Sequence, residues 1–194
     1  MTTQLIDLIP EFNSISDRAL RRRVLAVWHE AMEIGGWAVD DLSHMPYTLL
    51  VDNVDITFVQ HVSTVCRLCT AMEAILKESY GDRYKIDRDT LIAGALLADV
   101  GKLMEFRKEG NEYKWASMYQ YLRHPFTGVA LCFKHGIPEA VMHVVATHSW
   151  EGDRFKRMPE AIILHHADFT DFDLSRYHSN VAAKSVRSSP EVNS

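Results

Sequence analysis

Only three cysteines occur in 194 residues, too few and of the wrong parity for a disulfide framework. Cys66 and Cys69 have CxxC spacing, but there is no second pair to complete a zinc site. They fall inside a helical pattern, so packed thiols are expected there rather than zinc or thioredoxin-like chemistry. No apolar run reaches the roughly 20 residues needed to cross a bilayer. Met1 to Pro10 carries Asp7 and no basic segment, so no signal peptide is read there. Basic excess is also missing: a net charge of −5 argues against the positive surface that non-specific nucleic-acid binding requires. Arg21-Arg22-Arg23 is short and interrupts an amphipathic helix, which suits a solvated face. Internal repeats and low-complexity blocks are lacking too. These absences point to a cytoplasmic protein whose partner is a small-molecule substrate, with neither nucleic acid nor membrane involved. A homo-oligomer is compatible with all of them.

The chain does have apolar residues, 47% against 24% charged, enough to build a core and to argue against disorder in its body. Ser16 or Asp17 can cap a helix to about Ile34, with Leu20, Val24, Leu25, Val27 and Trp28 at helical spacing and Gly35-Gly36 as its stop. Asp52, Asn53 or Asp55 is expected to cap the next, running to about Tyr80. Asp87 caps an apolar helix from Asp89 to about Met104. Residues 105–115 hold a Glu-Gly-Asn turn and read as a small β-hairpin or an open loop. His124-Pro125 opens a helix closed by Gly136, Pro138 begins one reaching about Ser149, and Pro159 begins a last one reaching about Asp171. The expected fold is all-α, a helical bundle with a hairpin. Residues 1–50 read as an N-terminal helical segment packing on the core, 51–175 as the domain that carries the chemistry, and 176–194 as a flexible tail.

Ten histidines are present, and three of them, His61, His124 and His148, lie in apolar contexts on or at the start of helical segments. Asp99 and Asp168 lie in the apolar runs Leu-Leu-Ala-Asp-Val and Ile-Ile-Leu-His-His-Ala-Asp. A carboxylate among aliphatics must be neutralised, paired or bound to a metal, because burying a lone charge is costly. Singly, each has a plainer account: a hydrogen-bonded core histidine, an Asp99–Lys102 ion pair, an Asp168–His165 pair. Together, metal binding explains all five most economically.

The order His61, Ala98-Asp99-Val100-Gly101-Lys102, His124, His148, Asp168 resembles the HD superfamily of metal-dependent phosphohydrolases over about residues 50–175. Leu96 to Lys102 is its most specific segment, and the step from His124 to His148 suits the two-metal members. The resemblance implies one ion on His61, Asp99 and Asp168 and a second on Asp99, His124 and His148, with Asp99 as the bridge. The departure is Ala98, a methyl where the family has the histidine of its name. Either a natural member has retuned its chemistry, or a histidine was replaced to silence the enzyme. The intact remainder of the motif favours the second.

Histidine plus carboxylate without thiolate suits Fe, Mn, Zn, Ni or Co, one or two per chain, and does not choose among them. Such an ion lowers the pKa of bound water to about 7. Asp99 and Lys102 are the expected catalytic residues, with Lys102 neutralising charge on a phosphate or oxyanion. Arg123 and His165 are candidate substrate contacts, and Trp37, Tyr47 and Phe58 leave room for a less charged substrate. The expected activity is hydrolysis of a phosphate ester of a nucleotide or metabolite. The alternatives are C–C or C–N cleavage or hydration, di-iron oxygenation on the same scaffold, and a catalytically silent ligand-binding module.

Overall fold

In the computed structural model, which describes residues 2–52 and 54–187, a short helix α1 (Thr2–Leu8) and a 3-10 turn at Pro10–Ser14 lay Leu5, Ile9 and Phe12 into the core. The Asp17 side chain accepts the N–H groups of Ala19 and Leu20 and starts α2 (Arg18–Gly35), which buries Val24, Val27, Trp28 and Ala31. Gly36, at φ +73°, ends it in the left-handed conformation that favours glycine.

The next helix, α3 (Phe58–Tyr80), begins later than expected. Its cap is Thr57, not Asp52 or Asp55, and Asn53 lies outside the described residues. Thr57 and Gln60 form a reciprocal capping box, which satisfies two N–H groups at once and so outcompetes the upstream aspartates. Cys66 and Cys69 on this helix are fully buried, and burial pushes the Cys66 thiol up to about 12. They are packing residues, and no candidate metal cluster among the described residues includes them.

Asp87 caps α4 (Arg88–Leu97), whose residues Leu91 to Leu97 are all buried because α2, α3, α7 and α8 surround it. The expected single helix to Met104 is instead broken. Residues 98–101 form tight turns, with Val100 N–H bonded to Leu97 O and Lys102 N–H to Asp99 O, before α5 (Lys102–Glu105) resumes. A break frees carbonyls that must find donors. The indole N–H of Trp28 supplies one, donating to Leu96 O at 2.8 Å, and that of Trp37 donates to Leu103 O, near the end of α5, at 2.7 Å.

An antiparallel hairpin follows, β1 (Phe106–Glu109) and β2 (Glu112–Trp115), in register Phe106 opposite Trp115. Then come α6 (His124–Lys134), α7 (Glu139–Thr147) and α8 (Pro159–Arg187). The last helix continues well past Asp171, with Ser175 and Ser179 buried, so residues 176–187 belong to a helix rather than to a tail. One hydrophobic cluster runs from Leu5 to Ala167, which joins the first fifty residues to the rest. The architecture is all-α with one small hairpin. No helix among the described residues is long and apolar enough to cross a membrane.

Gly101 sets how closely the broken turn meets α6. A Cβ there would lie 2.3 Å from the His124 carbonyl oxygen and 2.5 Å from Thr127 Oγ1. Because the first neighbour is backbone, Gly101→Ala is expected to cost about 3 kcal/mol and to move His124 away from Asp99. Thermal melts and metal titration of that variant check both effects.

Candidate metal centre

Side chains from four other helices converge on Asp99. His61 lies in the first turn of α3, Asp99 in the turn after α4, and His124 opens α6. His148 closes α7, and Asp168 projects from α8. All but the half-buried Asp168 are at least 95% buried.

The Asp99 carboxylate divides between two groups. Its Oδ2 lies 3.0 Å from His61 Nε2, which is itself 3.1 Å from Asp168 Oδ1. Its Oδ1 lies 3.3 Å from His124 Nε2 and 3.7 Å from His148 Nε2, and those two nitrogens are 3.2 Å apart. The sets His61, Asp99, Asp168 and Asp99, His124, His148 each gather three ligand atoms within 4.8 Å of one another.

The far nitrogen of each imidazole faces an oxygen. His61 Nδ1 donates to Asp171 Oδ2 at 2.7 Å, and His148 Nδ1 donates to the Val145 carbonyl at 2.7 Å. His124 Nδ1 lies 3.4 Å from Glu105 Oε2, while another oxygen of Glu105 accepts the His124 backbone N–H. The hydrogen bonds of His61 and His148 fix their tautomers and aim Nε2 at a metal, whereas His124 Nδ1 has no hydrogen-bond partner among the described residues. Tyr47 stacks on the His61 ring at 4.4 Å, and its hydroxyl meets Ser175.

The electrostatics favour a cation. Burial opposes charge on His61, but the carboxylates of Asp168, Asp171 and Asp99 outweigh it and raise the imidazole to about 10. A positive ion taking the place of the Nε2 proton meets the same field. Burial alone would raise Asp99, yet Lys102, His148 and His61 hold it well below the usual carboxylate range. Burial keeps His124 well below its ordinary value, so its Nε2 lone pair is free to donate to a metal. Burial also raises Glu105 to about 7 against the pull of Arg123.

The remaining expected residues are distributed unevenly. Lys102 Nζ forms the ion pair with Asp99 Oδ2, at 2.8 Å, and lines the cavity above the cluster. Arg123 lines it too. His165 does not: its Nδ1 donates to the His148 carbonyl at 2.7 Å, so it anchors the backbone of His148 and makes no pair with Asp168 among the described contacts. Trp37, Tyr47 and Phe58 are buried in the core, and the aromatic walls come from Phe106, Trp115, Trp150, Phe169 and Phe172. Ala98 is buried directly before Asp99.

Asp171 and Glu105 were not among the residues expected from sequence. Asp171 carried a readable signal, its place three residues after Asp168 on one helical face. Asp171→Ala is expected to weaken metal binding at His61 by about 10–100-fold, and Asp171→Asn, which can still accept from Nδ1, by less. Calorimetric metal titration together with the ¹⁵N shifts of His61, which report its tautomer, checks this.

Comparison with known proteins gives one informative match. The chain is 35% identical over 117 residues to the dihydroneopterin 2',3'-cyclic phosphate phosphodiesterase of Methanocaldococcus jannaschii. That stretch is 58% of this chain and 45% of the relative, so the chain spans less than half the length of the curated protein it matches. No family model matches. No solved structure matches either.

Proposed function

We propose that this chain is a metal-dependent hydrolase of the HD type acting on a small-molecule phosphodiester, and that Ala98, in place of the motif histidine, makes it an inactivated form. The observation that carries the proposal is the divided carboxylate of Asp99, with His61 and Asp168 on one side and two histidine nitrogens on the other. The similarity to a cyclic-phosphate phosphodiesterase supports the choice of substrate class.

The donor set suits divalent ions of the Fe, Mn, Zn, Ni or Co kind, held by His61, Asp99 and Asp168 and by Asp99, His124 and His148. Such ions supply Lewis acidity and acidify water enough for it to attack near neutral pH. Hydrolysis then forms one bond from water oxygen to phosphorus, breaks one ester P–O bond and delivers a proton to the leaving oxygen. The chain's own residues prepare this step. Asp171 and the Val145 carbonyl hold their histidines in the right tautomer. Lys102, which lines the cavity beside Asp99, neutralises a non-bridging phosphate oxygen. The aromatic walls keep bulk water from competing with these contacts.

The test is hydrolysis of bis(p-nitrophenyl) phosphate by the Mn²⁺-loaded Ala98→His protein, with and without Lys102→Ala. Lys102→Ala is expected to slow turnover about 10²-fold at unchanged metal content. Absence of phosphodiester hydrolysis in the loaded Ala98→His protein overturns the proposal. A second reading, a silent ligand-binding module, draws on the same Lys102 ammonium, which already balances Asp99 at 2.8 Å. In that case Ala98→His changes neither metal content nor turnover.

A further inference from the structure

We infer that Arg157 is a positioning residue for the group of Asp99, His124 and His148: its guanidinium clamps the backbone on either side of His148 and so aims that imidazole. This rests on the metal-dependent reading above and extends the centre to a residue outside the cavity.

α7 ends at His148 without the left-handed glycine that closes α2. The carbonyls of a last helical turn have no partners within the helix. Here three in succession are taken by side chains from further along the chain. Arg157 Nε donates to the Thr147 carbonyl at 2.7 Å, and His165 Nδ1 donates to the His148 carbonyl at 2.7 Å. A terminal nitrogen of Arg157 then reaches the Ser149 carbonyl at 3.0 Å. One planar group thus spans the carbonyls of residues 147 and 149, with His148 between them. The imidazole itself is pinned by the bond from its Nδ1 to the Val145 carbonyl. Ring and backbone of His148 are therefore held separately, the ring by α7 and the backbone by later residues.

Arg157 is itself held. The nitrogen that meets Ser149 also donates to Asp153 Oδ1 at 2.6 Å, and the arginine side chain is only 15% exposed. The backbone it clamps is tight: a Cβ on Gly152 would lie 2.4 Å from Thr147 Cα, so the 3-10 turn Trp150–Gly152 folds directly against the end of α7. Arg157 is not among the residues that line the cavity, nor in either candidate metal group. Its influence on the centre must pass through His148. A lysine cannot replace it fully, because an ammonium on a flexible stem lacks the planar fork that serves two carbonyls in fixed geometry. The sign of the effect separates placement from charge. Removing a nearby positive charge, on electrostatic grounds alone, favours a cation at the centre. Loosening His148 disfavours it.

The test is titration of the ¹⁵N-histidine-labelled chain with chelator-buffered Zn²⁺, read by the ring ¹⁵N shifts of His61 and His148, with thermal melts verifying the fold. Arg157→Gln is expected to raise the Zn²⁺ concentration at which His148 responds about 10-fold. The response of His61 should stay close to that of the parent. Arg157→Lys should fall between the parent and Arg157→Gln. It keeps the charge, so it decides the matter if Arg157→Gln fails to fold. A His148 response that is unchanged, or moved to lower Zn²⁺, overturns the positioning role and leaves the metal-dependent reading standing. So does an equal shift at His61, which marks a general loosening of the fold. No response of either histidine in the parent chain overturns both.

Discussion

A chain carrying Ala98→His is expected to hold more metal than the parent and to hydrolyse phosphodiesters about 10²-fold faster or more. Residue 98 directly precedes Asp99 in the turn where α4 breaks, and it is buried. The group of His61, Asp99 and Asp168 offers three ligand atoms, and an imidazole beside Asp99 adds a fourth. The gain should therefore appear chiefly at that group, with little change at His124 and His148. Ala98→Leu is the steric control: it fills the same space, supplies no nitrogen, and should lower the melting temperature without adding metal. Mn²⁺ should raise the melting temperature of the histidine variant more than that of the parent, because an ion that binds only the folded state stabilises it. Mass spectrometry of the metal content and melts in the presence of Mn²⁺ measure both. Unchanged occupancy contradicts the missing-ligand account.

Asp99→Asn is expected to have the largest effect of any single substitution. It removes a negative charge from both groups at once, since Oδ2 faces His61 and Oδ1 faces His124 and His148. In the Ala98→His background both ions should be lost and turnover should fall to the uncatalysed level. His148→Ala should affect mainly one group and His61→Ala mainly the other. The substitution also leaves the Lys102 ammonium, 2.8 Å from Oδ2 and mostly buried, without its partner. Breaking such a pair costs about 3–5 kcal/mol, so a fall in stability without metal is part of the expected result. Retention of both ions and near-full turnover would reduce Asp99 to the ion-pair partner of Lys102.

Much of this centre could be read from sequence because its members break the local pattern. His61, Asp99, His124 and His148 are polar residues in apolar contexts on or beside helical segments, and the structure buries each of them. Helix starts at Asp17 and Asp87 and the hairpin turn were readable for the same kind of local reason. The break at residues 98–101 was not. Its sequence is a mostly apolar run, and the indole that takes up the Leu96 carbonyl left open by the break, that of Trp28, lies more than sixty residues away in the chain. The same holds for the length of α8: beyond Asp171 its pattern is polar, and a distant contact from the Tyr47 hydroxyl to Ser175 ties it down. Glu105 opens the 105–115 segment read as a hairpin or loop, yet it ends α5 and is buried under Arg123 and the first turn of α6. His165 looked like a cavity residue because it precedes Asp168 by three positions. Its ring instead turns to the His148 carbonyl.

The central claim is that Asp99 is shared between two metal sites, and anomalous scattering from crystals of the Ala98→His protein grown with Mn²⁺ tests it most directly. The account predicts two peaks, each about 2.2 Å from one oxygen of Asp99, one beside His61 and Asp168 and the other beside His124 and His148. Peaks elsewhere on the molecule, or ions that leave Asp99 uncoordinated, would contradict it.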